Sequence, residues 1–238
     1  MEIWLWWRRS DGMIDPMTHP WYTPPVALSV PPSWTLSLDD KEELEEQTWA
    51  MILLGQNEIE EFTQYFEEEI EEAGISQDEA NSYFETVVAA RRVQQVALGG
   101  IPQSALTNAF AELETLGVVA RESFTCCGTC GDNEIWHERD DSRAWRGYVY
   151  YHVQDAEHIP QSRSTHIAYG GFVDQYFTRA QWEEFADEEK DSHYTRIVTE
   201  LMNNEVVPVL QKHGIDVSWS GALDKRILLD GVDFFAAV

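Results

Sequence analysis

All three cysteines of this 238-residue chain fall within five positions, in Phe124-Thr125-Cys126-Cys127-Gly128-Thr129-Cys130-Gly131. Cys127-Gly128-Thr129-Cys130-Gly131 has the C-x-x-C-G form of a zinc knuckle, in which glycine lets the backbone turn and aim amide hydrogens at thiolate sulfur. Cys126 is a candidate third ligand and His137 the nearest fourth, with His152, His158 and His166 further along the chain. Tetrahedral zinc asks for four ligands, and no second C-x-x-C exists in the sequence. The same pair of thiols could form a disulfide or supply a reactive thiolate. A thioredoxin-like setting would require the pair to follow a strand and open a helix, and Gly131-Asp132-Asn133-Glu134 reads as a weak helix opening. The plainest expectation is three reduced thiols packed at a strand end, because free cysteine behaves as a small hydrophobe. Nucleophilic catalysis with a histidine needs a positioned base, and no motif fixes one.

A second constellation is Tyr150, His152 and Asp155, with His158 close by. Strand alternation puts Tyr150 and His152 on one face, so a general acid or base is conceivable there. A polar or hydrogen-bonded surface histidine is the commoner outcome. Trp136 through Asp141 read as an exposed connection without EF-hand spacing. The chain has no G-x-x-x-x-G-K-[ST], G-x-G-x-x-G, H-E-x-x-H or G-x-S-x-G, so no nucleotide cofactor is expected and common hydrolase chemistries lack support.

The elements that must position these residues fall into three stretches. Residues 1–36 form a Pro/Trp-rich tail in which Pro16, Pro20, Pro24, Pro25, Pro31 and Pro32 interrupt any helix. Trp4, Trp6, Trp7, Trp21 and Trp34 supply bulk there and favour packing across the domain as an arm. Residues 37–117 read as an acidic helical region with apolar positions returning every three and four residues. Asp39 or Asp40 is expected to cap a first helix through Leu44, Trp49, Ile52 and Leu53. Asn57 should begin a second that carries Ile59, Phe62, Phe66 and Ile70 to Gly74. Ser76 and Glu79 have the spacing of a capping box and open a third helix, running to Gly99-Gly100. Ser104 should cap a fourth, ending near Gly117.

In residues 118–238 the period changes to two. Strands are expected at 118–124, 147–153, 165–171, 215–219 and 226–229, with a helix from about Ser192 to Gly214. This predicts an α+β fold: an N-terminal helical half packed with a small, mostly antiparallel sheet that is covered by a long helix. The regions 37–117 and 118–238 are compatible with one compact domain.

The charge balance narrows the partners. Sixteen Lys and Arg stand against 43 Asp and Glu, a net charge of −27, and residues 39–115 alone hold 19 acids against Lys41, Arg91 and Arg92. Such a surface repels phosphate backbones, which excludes nucleic acid as an expected partner. Solubility accounts for most acidic surfaces; a basic protein partner, as for an immunity or inhibitor protein, is the sharper expectation. No run of about 18 apolar residues exists, so no membrane partner is expected. The opening nine residues make a poor signal peptide, and an odd number of clustered cysteines suits a reducing, cytoplasmic setting.

The segments Leu116–Arg121, Phe124–Gly131, Arg146–Asp155 and Gly214–Gly221 resemble a bacterial domain-of-unknown-function family, number 6891. The resemblance spans roughly residues 80–235, its cysteine block being the distinctive part, while residues 1–36 have no counterpart in it. It implies a cytoplasmic α+β protein with no activity to carry over. The sequence as a whole favours a non-enzymatic binding protein whose cysteine turn is a candidate zinc site with Cys126, Cys127, Cys130 and His137. A thiol redox protein or enzyme using Cys127 and Cys130 with a histidine is the competing expectation.

Overall fold

The computed structural model describes residues 19–238, so Trp4, Trp6, Trp7 and Pro16 lie outside the described residues. Helix α1 (Leu38–Leu53) is capped by Ser37, not by Asp39 or Asp40: Ser37 and Asp40 form a reciprocal capping box, Asp40 being its N3 partner. The stretch expected as one second helix breaks at Phe66 into α2 (Ile59–Tyr65) and α3 (Glu67–Glu72), and it starts after Glu58, not Asn57. Phe62 and Phe66 both turn inward on either side of the break, and Phe62 stacks on Phe84 at 4.5 Å. Beyond the break, five acids in six residues repel one another, as like charges on one helical turn do. Helix α4 (Gln77–Ala97) opens with the expected Ser76–Glu79 box, and α5 (Ala105–Thr115) with the expected Ser104 cap.

Helices α1 to α4 enclose an aromatic core that the proline-rich arm completes. Trp21, Tyr22, Leu28, Val30 and Trp34 are buried in it. The Arg91 guanidinium lies 4.3 Å from the Trp21 ring centre and 5.1 Å from that of Trp49, and donates to the Trp21 carbonyl at 2.7 Å. The C-terminal segment ties this core to the sheet. Tyr22 Oη donates to Asp233, Phe235 packs on Trp21, and Gln95 donates to the Ala236 carbonyl.

Among the described residues the sheet has five strands in the order β1-β2-β3-β5-β4: β1 (Val118–Arg121), β2 (Gly147–Tyr150), β3 (Ser164–Gly171), β4 (Asp216–Ser218) and β5 (Ile227–Asp230). Of these strands β1 and β2 pair in parallel, and the other described pairs are antiparallel. One face, with Val118, Ala120, Val149 and Ile167, is covered by α5 and by the long helix. The long helix starts earlier than Ser192: α10 (Asp187–Leu201) continues through a π-helical turn, Met202–Val206, into α11 (Val207–Lys212). Pro208 explains the wide turn, since proline has no N–H for the preceding carbonyls and its ring crowds them. The opposite face, with Val119 and Tyr150, packs on Ile135, Trp145 and Phe172. Short helices α6 (Gly128–Glu134), α7 (Val153–Ala156), α8 (Ile159–Ser162) and α9 (Arg179–Glu184) fill the connections. No described helix is long and apolar enough to cross a membrane.

Candidate metal centre

The first strand ends sooner than alternation suggests because the backbone turns left-handed at Ser123 (φ 48°) and Thr125 (φ 57°). The loop nevertheless stays pinned beside the chain leaving β2: Phe124 N–H donates to the Tyr151 carbonyl at 2.8 Å and Val153 N–H to that of Thr125 at 3.1 Å. Thr125 Oγ1 then donates to the Cys127 carbonyl at 3.1 Å. Cys127 stands at the cap position of α6, with Gly131 N–H donating to its carbonyl at 3.0 Å. Gly131-Asp132-Asn133-Glu134 is therefore the body of a helix, which corrects the weak opening expected there. The cysteine pair does follow a strand and open a helix.

This helix sits on β2 through a glycine. A Cβ at Gly131 would lie 2.5 Å from Tyr150 Cε2 and 2.6 Å from Cζ, so only glycine admits the buried ring at that distance. The Tyr150 hydroxyl completes the joint, donating to Asp132 Oδ1 at 2.6 Å and reaching the Gly128 carbonyl at 3.1 Å. Burial, reinforced by the Asp132 carboxylate, drives the Tyr150 phenol far above its ordinary range, so it stays a neutral donor. At the far end of the turn, Arg121 bridges Glu114 and Glu138, the latter at 2.6 Å, clamping the residues that follow α6 to the end of β1.

The result is convergence of the three sulfurs. Cys126, Cys127 and Cys130 Sγ all lie within 4.8 Å of one another, and the Cys126 and Cys130 sulfurs are 3.6 Å apart. A tetrahedral ion with metal–sulfur bonds of about 2.3 Å spaces its sulfurs about 3.8 Å apart, so this pair already stands close to the edge length of a thiolate site. The environment also polarises the thiols. The Cys130 amide, then the Cys130 and Cys126 thiols and the Thr129 amide, pull Cys127 below the usual thiol range. Cys130, facing the Cys126 and Cys127 sulfurs, is pushed up to about 11. One sulfur is thus prepared to ionise first, with a proton held among its neighbours.

Among the described residues, no fourth histidine, cysteine or carboxylate joins this group. His137 is exposed in the 3-10 turn Ile135–Glu138 that follows α6 and is not gathered with the sulfurs. His158 and His166 are likewise exposed elsewhere on the sheet half. Residues 38–234 match the family described as Domain of unknown function (DUF6891). The chain belongs to the DUF6891 family. No curated protein and no solved structure matches it.

In this DUF6891 protein His152 and Asp155 are hydrogen-bonded to each other beside the cysteine turn, and Tyr150 is bonded to α6. His152 caps α7: its Nδ1 accepts from the Asp155 N–H while Asp155 Oδ2 accepts from the His152 N–H, both at 3.2 Å. Arg226 then grips Asp155 with both arms of its guanidinium and also donates to the His166 carbonyl. Asp155 is consequently committed to structure, and His152, whose Nε2 lies 3.4 Å from the Arg226 guanidinium, lines a cleft of about 320 Å3. Tyr148 and Tyr150 supply the floor of that cleft and α6 one wall. Sequence spacing does not reveal Asp132, Gly131 or Arg226 as parts of the site. Arg226 stands 71 residues from Asp155, and only the pairing of β3 with β5 brings it there.

Proposed function

We propose that this protein is a metal-binding protein, acting by binding and not by catalysis, whose Cys126, Cys127 and Cys130 thiolates hold one zinc ion. The convergence of three sulfurs within 4.8 Å carries this reading. Thiolate donors suit zinc among the available divalent ions, and the amides of Thr129 and Cys130 aimed at Cys127 favour the thiolate that a metal needs. Metal binding would fasten α6 to the loop before it and so fix the surface between β1 and β2. The test is metal analysis of protein purified without added zinc, alongside Cys126→Ser, Cys127→Ser and Cys130→Ser. About one equivalent in the parent, lost in the variants, is the expected result. No metal, with three freely titrating thiols, sinks the proposal.

A second reading is thiol redox chemistry, favoured by the position of Cys127 at the start of α6 directly after a strand and loop. It differs in outcome: the purified protein would carry a reversible disulfide, and Cys127→Ser would abolish an activity without loss of folding.

A further inference from the structure

The three sulfurs leave a bound ion one donor short of a tetrahedron, since no other described ligating group comes within their 4.8 Å cluster. A metal held by three protein ligands keeps an exchangeable position, normally taken by water or by an incoming molecule. A soft, thiolate-bound ion fills that position best with another sulfur.

The cleft beside α6 gives the incoming molecule a shape. Gly128, directly after Cys127, and Asp132, two residues after Cys130, both line it, so the cleft runs along the flank of the metal turn. It opens where β5 stops pairing with β3 after Ile167, and the loop before β5 forms its outer wall. A volume of about 320 Å3 stands at the small end of ligand sites, enough for an amino acid or a short peptide. Its charges are mixed. The Asp132 and Asp224 carboxylates line it together with the Lys225 ammonium, whose contact with Asp224 is long, at 3.5 Å, and exposed on both sides. Arg226 is already engaged by Asp155, the His166 carbonyl and His152 Nε2, which leaves Lys225, held only by that long and exposed contact with Asp224, as the lining cation better placed to meet a ligand carboxylate. Carboxylates and an ammonium together match a zwitterion.

Resting on the metal reading above, we propose that the ion held by Cys126, Cys127 and Cys130 keeps one open coordination position, filled by a small zwitterionic thiol of the cysteine type seated in the cleft beside α6. The thiol proton leaves to solvent as sulfur binds the ion, the metal-bound water departs, and no electrons move.

The experiment loads the full-length protein with Co(II), whose d–d and sulfur-to-metal bands report its coordination, and titrates it with cysteine. Saturable one-to-one spectral change with cobalt retained on desalting is expected. Mercaptopropionate, which lacks the ammonium, should bind several-fold more weakly. The exposed variant Lys225→Glu should also weaken cysteine binding several-fold while leaving cobalt affinity unchanged. A spectrum indifferent to cysteine would show the fourth position already filled and overturn this inference while leaving the metal reading intact. Removal of cobalt by cysteine overturns it too, as does a spectral change insensitive both to Lys225→Glu and to loss of the ammonium. Failure to take up cobalt at all overturns both readings.

Discussion

Replacing Gly131 by alanine tests how the cysteine turn is held. The backbone at Gly131 is helical, so alanine can adopt it, and on propensity alone the exchange should stabilise α6 by about 1 kcal/mol. Against this, the new Cβ would meet three Tyr150 ring atoms at 2.5, 2.6 and 2.7 Å, roughly an ångström inside ordinary contact. The ring has little freedom to retreat, being fully buried and tied by its hydroxyl to Gly128 and Asp132. Overpacking of this kind costs about 1–3 kcal/mol, so the net effect is a loss of up to about 2 kcal/mol, concentrated in lifting α6 from the sheet. Urea unfolding followed by tryptophan fluorescence should show a lower midpoint, and zinc affinity measured by chelator competition should fall with it. The double variant Gly131→Ala with Tyr150→Leu should recover part of the loss, because the clash partner is gone. A stabilised Gly131→Ala protein with unaltered zinc affinity would refute the seating of α6 on Tyr150.

Other outcomes follow from the same structure. Arg91→Ala should destabilise the helical half by about 3 kcal/mol in urea unfolding, since it removes a desolvated cation–π contact with Trp21 and a charged hydrogen bond to its carbonyl. In metal-free protein at pH 7, iodoacetamide should alkylate Cys127 before Cys130, as peptide mapping would report, because Cys127 lies below the usual thiol range and Cys130 is raised to about 11. Metal binding must expel the Cys130 proton, so affinity should rise with pH, by about tenfold per unit for that proton alone; a pH-independent affinity would contradict thiolate ligation. For the metal-free fold the sign is opposite. With its folded pKa raised above the ordinary value of about 8.5, Cys130 contributes stability that is complete below that value and lost as pH climbs to about 11. Alkaline urea titrations check that loss.

The helical half was largely legible because its signals are local. Ser76 with Glu79 and Ser104 before an apolar stripe specify helix starts through contacts three residues apart. Where Ser37 precedes Asp39 and Asp40, three good capping types compete, and only the backbone shows that Ser37 wins and Asp40 answers it. The strands were legible in type, and β3 and β5 nearly in extent, but β1 stops well short of its expected end, since nothing in Glu122-Ser123-Phe124-Thr125 announces two left-handed residues. Helix α6 was the main miss. Its two glycines and its threonine argue against a helix locally, and it forms because Tyr150 of β2 anchors it from outside through Gly128 and Asp132, a tertiary cause invisible in a window of sequence. The cysteines that cluster in sequence also cluster in space, whereas His137, chosen by sequence proximity, is not gathered with the sulfurs.

The central claim is that three thiolates hold one metal ion. The most direct measurement is X-ray absorption at the zinc edge on protein purified without added zinc, together with its metal content. About one zinc per chain, with three sulfurs at about 2.3 Å and one lighter or exchangeable ligand, is the predicted result. Metal-free protein, or zinc bound only through nitrogen and oxygen, would contradict it.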